Sequence, residues 1–207
     1  VSALAIDTER KVIDELVALW NSEVRPHVVP NACVLAARIT SEVLGYFDIK
    51  HDVISMAAMA MNDKMLAHEN EGRSHLNWDE DAYSVGVGFG ESAVWTRNDS
   101  RDGRGFDGHV VVVTKNFYID LTAYQFDRPQ FGIETSGSLV APLSDFVFPY
   151  TLSPNSINSW YYLALTKGHM VVLNNQNNQY KNSPDWKIHY KRQTGGIIRT
   201  IRQNISV

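Results

Sequence analysis

Cysteine is almost absent: Cys33 stands alone in 207 residues. No intrachain disulfide can form, which excludes a disulfide-stapled scaffold and fits a reducing cytoplasm, the expected location. No apolar run approaches the length of a membrane span, and Val1-Ser-Ala-Leu-Ala-Ile-Asp7 carries no signal-peptide pattern, so no membrane partner is expected. An excess of basic charge is missing too. The net charge is −4, which argues against a nucleic-acid platform. Acids outnumber bases ten to five over residues 62–107, and bases outnumber acids six to one over residues 181–207. A solvated face balancing an acidic middle is the simplest account of that asymmetry. The remaining composition, 44% hydrophobic and 20% charged, is that of an ordinary globular chain with room for a sizeable core.

What is present centres on Gly108-His109-Val-Val-Val-Val-Thr114-Lys-Asn116-Phe-Tyr-Ile-Asp120-Leu-Thr122. Two apolar runs flank Lys115-Asn116, and asparagine tolerates the positive φ of tight hairpin turns. A two-residue loop pairs Thr114 with Phe117, Val111 with Asp120 and His109 with Thr122. One face then carries Val110, Val112, Thr114, Phe117, Ile119 and Leu121 and belongs on a core. The other carries His109, Val111, Val113, Tyr118, Asp120 and Thr122. His109 and Asp120 fall on one diagonal, roughly 7–8 Å apart at the backbone and within side-chain reach. A carboxylate so placed fixes the tautomer of an imidazole and stabilises its protonated form.

Upstream, Asp7 or Thr8 is expected to cap a helix running to about Asn21, with Ile13, Leu16, Val17 and Trp20 as its apolar stripe. Arg25-Pro-His-Val-Val-Pro30 interrupts it, because two prolines so close preclude helix. A second helix follows over Ala32–Gly45, with Asn31 as N-cap and Leu35, Ile39 and Val43 as its buried row. Cys33 then lies in a first helical turn, where unpaired N–H groups and the helix dipole favour thiolate. The competing reading of a lone cysteine is a small buried apolar residue.

Asp52–Asn62 is apolar on both faces and reads as a buried strand. Residues 63–108 read as polar, with one short strand at Ala93–Thr96. Gly86-Val-Gly88-Phe-Gly90 lacks the lysine of a phosphate loop and reads as a bulged strand or loop. His68, Glu69, His75 and Asp79 have metal-ligand types without metal-ligand spacing. Arg97–Gly105 is a charged connector. Residues 130–159 hold short extended pieces, Trp160–Leu173 and Trp186–Gln193 read as strands, and Gly195-Gly196 precedes a short helix at Ile197–Arg202. Gly168-His169-Met-Val-Val echoes Gly108-His109-Val-Val, so His169 with Asp185 is a rival pair.

Cys33, His109 and Asp120, in that order, resemble the papain-like and transglutaminase-like cysteine superfamily. Ile119-Asp120-Leu121-Thr122 is similar to the strand end that carries the acid in transglutaminase-like domains, and Gly108-His109 with its apolar strand is similar to their histidine motif. The resemblance covers about residues 30–125. Arylamine N-acetyltransferases share the order, but their Arg-Gly-Gly-x-Cys motif is replaced here by Val29-Pro30-Asn31-Ala32-Cys33. The aromatic residue beside the transglutaminase cysteine is also missing.

The expectation is one α+β domain spanning residues 1–207: a central antiparallel sheet, flanking helices and the nucleophile cysteine at a helix N-terminus. Residues 130–207 are a candidate C-terminal elaboration. The expected chemistry is cysteine-dependent acyl transfer or hydrolysis of a peptide or small amide or ester. Cys33 attacks, His109 shuttles the proton, Asp120 orients His109, and Asn31 with the Cys33 N–H receives the oxyanion. No metal or organic cofactor is required. The alternative is a catalytically inactive fold of this type serving as a binding module for a protein or other partner, and a metal-dependent hydrolase built on His68 and His75 is a third reading.

Overall fold

The computed structural model describes residues 3–28, 32–73, 79–88, 108–150, 160–174, 178–187 and 191–205. The chain opens with α1 (Ala3–Leu19), which starts before the expected caps Asp7 and Thr8. It runs directly into a π-helical turn at Trp20–Val24 and a 3-10 turn at Arg25–His27. Pro26 is accommodated in the first turn of that 3-10 segment, where its missing N–H has no intrahelical partner to lose. One proline therefore tightens the helix end instead of abolishing it. α2 (Cys33–Tyr46) has Ala32 at its N-cap, with no side-chain cap, while Asn31 lies outside the described residues.

The next element is the strand β1 (His51–Met61), followed by α3 (Asp63–Glu71) and β2 (Ser84–Val87). α3 is a helix in a stretch expected to be irregular. Asn62 accepts the Met65 N–H at 2.9 Å to cap it, and Gly72 closes it. The strand expected at Ala93–Thr96, the connector Arg97–Gly105 and His75 lie outside the described residues. The hairpin is β3 (His109–Thr114) and β4 (Phe117–Asp120). β5 (Leu139–Pro142), β6 (Val147–Tyr150), β7 (Trp160–Ala164) and β8 (His169–Asn174) follow, then α4 (Pro184–Lys187) and α5 (Lys191–Asn204).

Eight strands form one curled antiparallel sheet in the order β5-β4-β3-β1-β8-β7-β6, with β2 also on β1. β8 takes one edge of β1, opposite Met56–Met61. β3 and β2 share the other edge, opposite His51–Met56 and Ala58–Met61. The C-terminal stretch supplies β5 to β8, and so completes the sheet on both sides of the hairpin.

Burial explains why β1 reads as an unbroken apolar run. Met56, Ala58 and Ala60 pack into one cluster with Val111, Tyr118 and Phe126, while Ala57, Met59 and Met61 pack into another with Met65 and Trp160. A strand covered on both faces has no polar side to alternate with. The largest cluster joins Ile13 and Leu16 of α1, Trp20 of the π-helical turn, α2 (Ile39, Val43), Val110 and Val112, Phe117 and Ile119, and Ile197 and Ile201 of α5. Each such side chain contributes roughly 1.5–3 kcal/mol by leaving water. This burial also explains α5. The helix runs through Gly195-Gly196, and residues 191–193, at the end of the expected strand Trp186–Gln193, are helical as well. Docking of Ile197 and Ile201 against α1 and α2 outweighs the roughly 1 kcal/mol that each glycine costs.

Candidate functional site

The hairpin has the register that a two-residue loop dictates: Val112 faces Ile119 and Val113 faces Tyr118. The faces divide accordingly, with Val110, Val112, Phe117, Ile119 and Leu121 in the helix-side core and Val111 and Tyr118 in the opposite cluster. The means differs from expectation. Neither Lys115 nor Asn116 is among the residues with positive φ. The turn is held by side chains instead. The Thr114 hydroxyl accepts the N–H groups of Asn116 (3.1 Å) and Phe117 (3.0 Å) and donates to the Glu9 carboxylate of α1. Asn116 Nδ2 donates to the other Glu9 oxygen at 2.7 Å. A buried carboxylate thus clamps the loop that sets the register.

At the far end of the hairpin, His109 opens β3 and Asp120 closes β4. His109 Nε2 donates to Asp120 Oδ2 at 2.6 Å, with both side chains buried. Asp120 Oδ1 accepts the Thr122 N–H at 2.9 Å and the Thr122 hydroxyl at 3.1 Å, so neither oxygen is left without a donor. The Phe126 ring meets the imidazole edge-on, with centroids 5.1 Å apart. Cys33 is the first residue of α2, 7% exposed, and its side chain lies close enough to the same imidazole to favour its protonated form. With Nε2 taken by the carboxylate, Nδ1 is the imidazole nitrogen left without a carboxylate partner.

Burial by itself disfavours the imidazolium. The charge and hydrogen bond of Asp120, with a further contribution from Cys33, outweigh it and raise the His109 pKa to about 10. His109 is therefore held as the imidazolium at neutral pH, with its Nε2–H on the carboxylate. Tyr118 beside it is held neutral, first by burial and then by the Asp120 charge.

Cys33, His109 and Asp120, which are far apart in sequence, thus meet at one end of the sheet. His169 has other partners than Asp185. Its Nε2 bonds Asp63 Oδ1 at 2.8 Å, and its Nδ1 shares a proton with the Tyr162 hydroxyl at 2.7 Å. His68 is buried, with Nε2 accepting the Asp79 N–H at 3.2 Å. Among the described residues no group of three or more His, Cys, Asp or Glu side chains could hold a metal ion. No helix among them is long and apolar enough to cross a membrane.

Four further residues shape the site and are not singled out by the sequence pattern: Glu9, Thr122, Phe126 and Tyr124. Only Thr122 carries a local signal, because an aspartate two residues before a threonine is the spacing of a side-chain-closed turn. Tyr124 follows on a 3-10 turn (Ala123–Phe126) and lies within electrostatic range of both Asp120 and Cys33. No protein-family model, curated protein or solved structure matches the chain.

Proposed function

We propose that the protein is a cysteine-dependent acyl-transfer or hydrolytic enzyme acting on an amide or ester. The observation that carries this reading is the single imidazole shared between Cys33 and the fully hydrogen-bonded Asp120 carboxylate. The resemblance of the Cys33, His109, Asp120 order to papain-like and transglutaminase-like proteins supports it.

The chemistry follows from the positions. In the reactive form Cys33 is the thiolate beside protonated His109, at the start of α2 where backbone N–H groups lack intrahelical partners. The sulfur lone pair forms the C–S bond, and the carbonyl π pair moves to oxygen. First-turn N–H groups, that of Cys33 among them, receive that charge. As the oxygen pair returns, the C–N or C–O bond breaks, and His109 gives its Nδ1 proton to the departing amine or alkoxide. Neutral His109 then takes a proton from water or an acceptor amine as it attacks the thioester carbon, and the C–S bond breaks to restore the thiolate. Asp120 stays ionised throughout and holds the ring.

The burial of Cys33 and His109 favours a second reading, a binding module of the same architecture that turns over nothing. One experiment separates the two. Incubation with an activated acyl ester such as p-nitrophenyl acetate should release nitrophenol in a burst and leave a thioester on Cys33. His109→Gln should slow its formation by at least about 10²-fold. Intact folded protein that forms no thioester supports the module and removes the enzyme.

A further inference from the structure

Resting on that reading, we infer that the site takes an acyl substrate carrying its own carboxylate, and that Arg25 is the residue that reads it. The Arg25 guanidinium lies over the Tyr124 ring, 4.0 Å from its centroid, and Tyr124 lies within electrostatic range of Cys33 and Asp120. Arg25 is half-buried, yet no carboxylate pairs with it among the described residues. Its one hydrogen bond there is a long one, 3.5 Å from Nη1 to Asn21 Oδ1. A cation stacked on a ring keeps its N–H edge free, and that edge matches a carboxylate bidentately.

The group is also held in place. Asn21 Oδ1 accepts from Ser138 at 3.3 Å, and the same hydroxyl donates to the Leu121 carbonyl at 3.1 Å, tying the arginine's support to the strand end that carries Asp120. Gly137, at φ +93, leaves the space the guanidinium uses, since a Cβ there would lie 3.2 Å from Nη1. An unpaired, partly desolvated cation stacked on a ring that itself interacts with Cys33 selects anionic substrates by charge.

The test compares the rates at which Cys33 of the full chain reacts with iodoacetate and with iodoacetamide at pH 7 and low salt. The two reagents differ chiefly in one carboxylate. Arg25→Gln should lower the iodoacetate to iodoacetamide rate ratio by about fivefold, the effect of one unit charge several ångströms away at an intermediate dielectric. The iodoacetamide rate should stay within about twofold, and Arg25→Lys should keep most of the preference. An unchanged ratio in Arg25→Gln overturns the role of Arg25 while leaving the reactive thiol standing. Inertness to both reagents in the unaltered protein refutes the thiol reading and the inference with it. If Arg25→Gln does not fold, salt decides on the unaltered protein: the preference for iodoacetate should shrink with ionic strength, and a salt-independent ratio overturns the inference.

Discussion

Two histidine–aspartate pairs flank β1, one on each edge, and both grow from a Gly-His-apolar strand start. His109 pairs across from Met56 and His169 across from Met61. Both present Nε2 to a carboxylate and interact with a third group, Cys33 in one case and the Tyr162 phenol in the other. Their surroundings separate them. The Asp120 side chain is 0% exposed and braced by Thr122, whereas that of Asp63 is 88% exposed. Even the glycines differ in purpose. Gly168 sits at φ +78, where a Cβ would come within 2.6 Å of the Met61 carbonyl oxygen, so it serves the backbone crossing. The same histidine–carboxylate pairing is thus sealed from water and braced by neighbours at His109, while at His169 its acid stands open to solvent.

The contrast predicts unequal costs. Asp120→Ala strands the buried His109 charge and should destabilise the fold by about 3–5 kcal/mol, whereas Asp63→Ala should cost about 1 kcal/mol or less. Urea unfolding of the two variants checks this, and equal costs would break the distinction. The pH dependence comes next. His109 binds its proton more tightly folded (about 10) than its ordinary value of 6.5. Its stabilisation is therefore fully present below about pH 6.5 and is lost as pH rises through 10. Melting temperature should fall over that window and fall less in His109→Gln. A smaller effect is expected at the hairpin turn. Glu9→Ala removes the charged acceptor of Thr114 and Asn116 and should cost about 2 kcal/mol. It should also reduce Cys33 reactivity, because the turn sets the alignment of His109 with Asp120. The smallest belongs to Thr122→Val, which deletes one donor to Asp120 and should cost about 1 kcal/mol.

The hairpin was legible because its register is local: two apolar runs, two polar residues and a period of two determine which side chains share a face. β1 was legible as an unbroken apolar run, the pattern of a strand covered on both faces, and Cys33 at the start of α2 followed from helical periodicity. The turn chemistry was not, since Glu9 reaches the loop from 105 residues away. The partner of His169 was hidden in the same way, as Asp63 lies 106 residues off while Asp185 is near in sequence. α3 had signals in Asn62 and Gly72, masked by a polar composition. α5 had a signal pointing the wrong way, Gly195-Gly196, overridden by packing of Ile197 and Ile201 that only the fold reveals. Arg25 sits among two prolines that read as a break, and nothing local marks it as the neighbour of Tyr124.

The coupling of Cys33 to His109 is the centre of the account, and one measurement addresses it directly. The rate of Cys33 alkylation by iodoacetamide should be followed from pH 5 to 10 in the unaltered protein and in His109→Gln. Near neutral pH the unaltered protein should react about 10²-fold faster than His109→Gln. A Cys33 that is inert near neutral pH, or one whose profile is the same with and without His109, would contradict it.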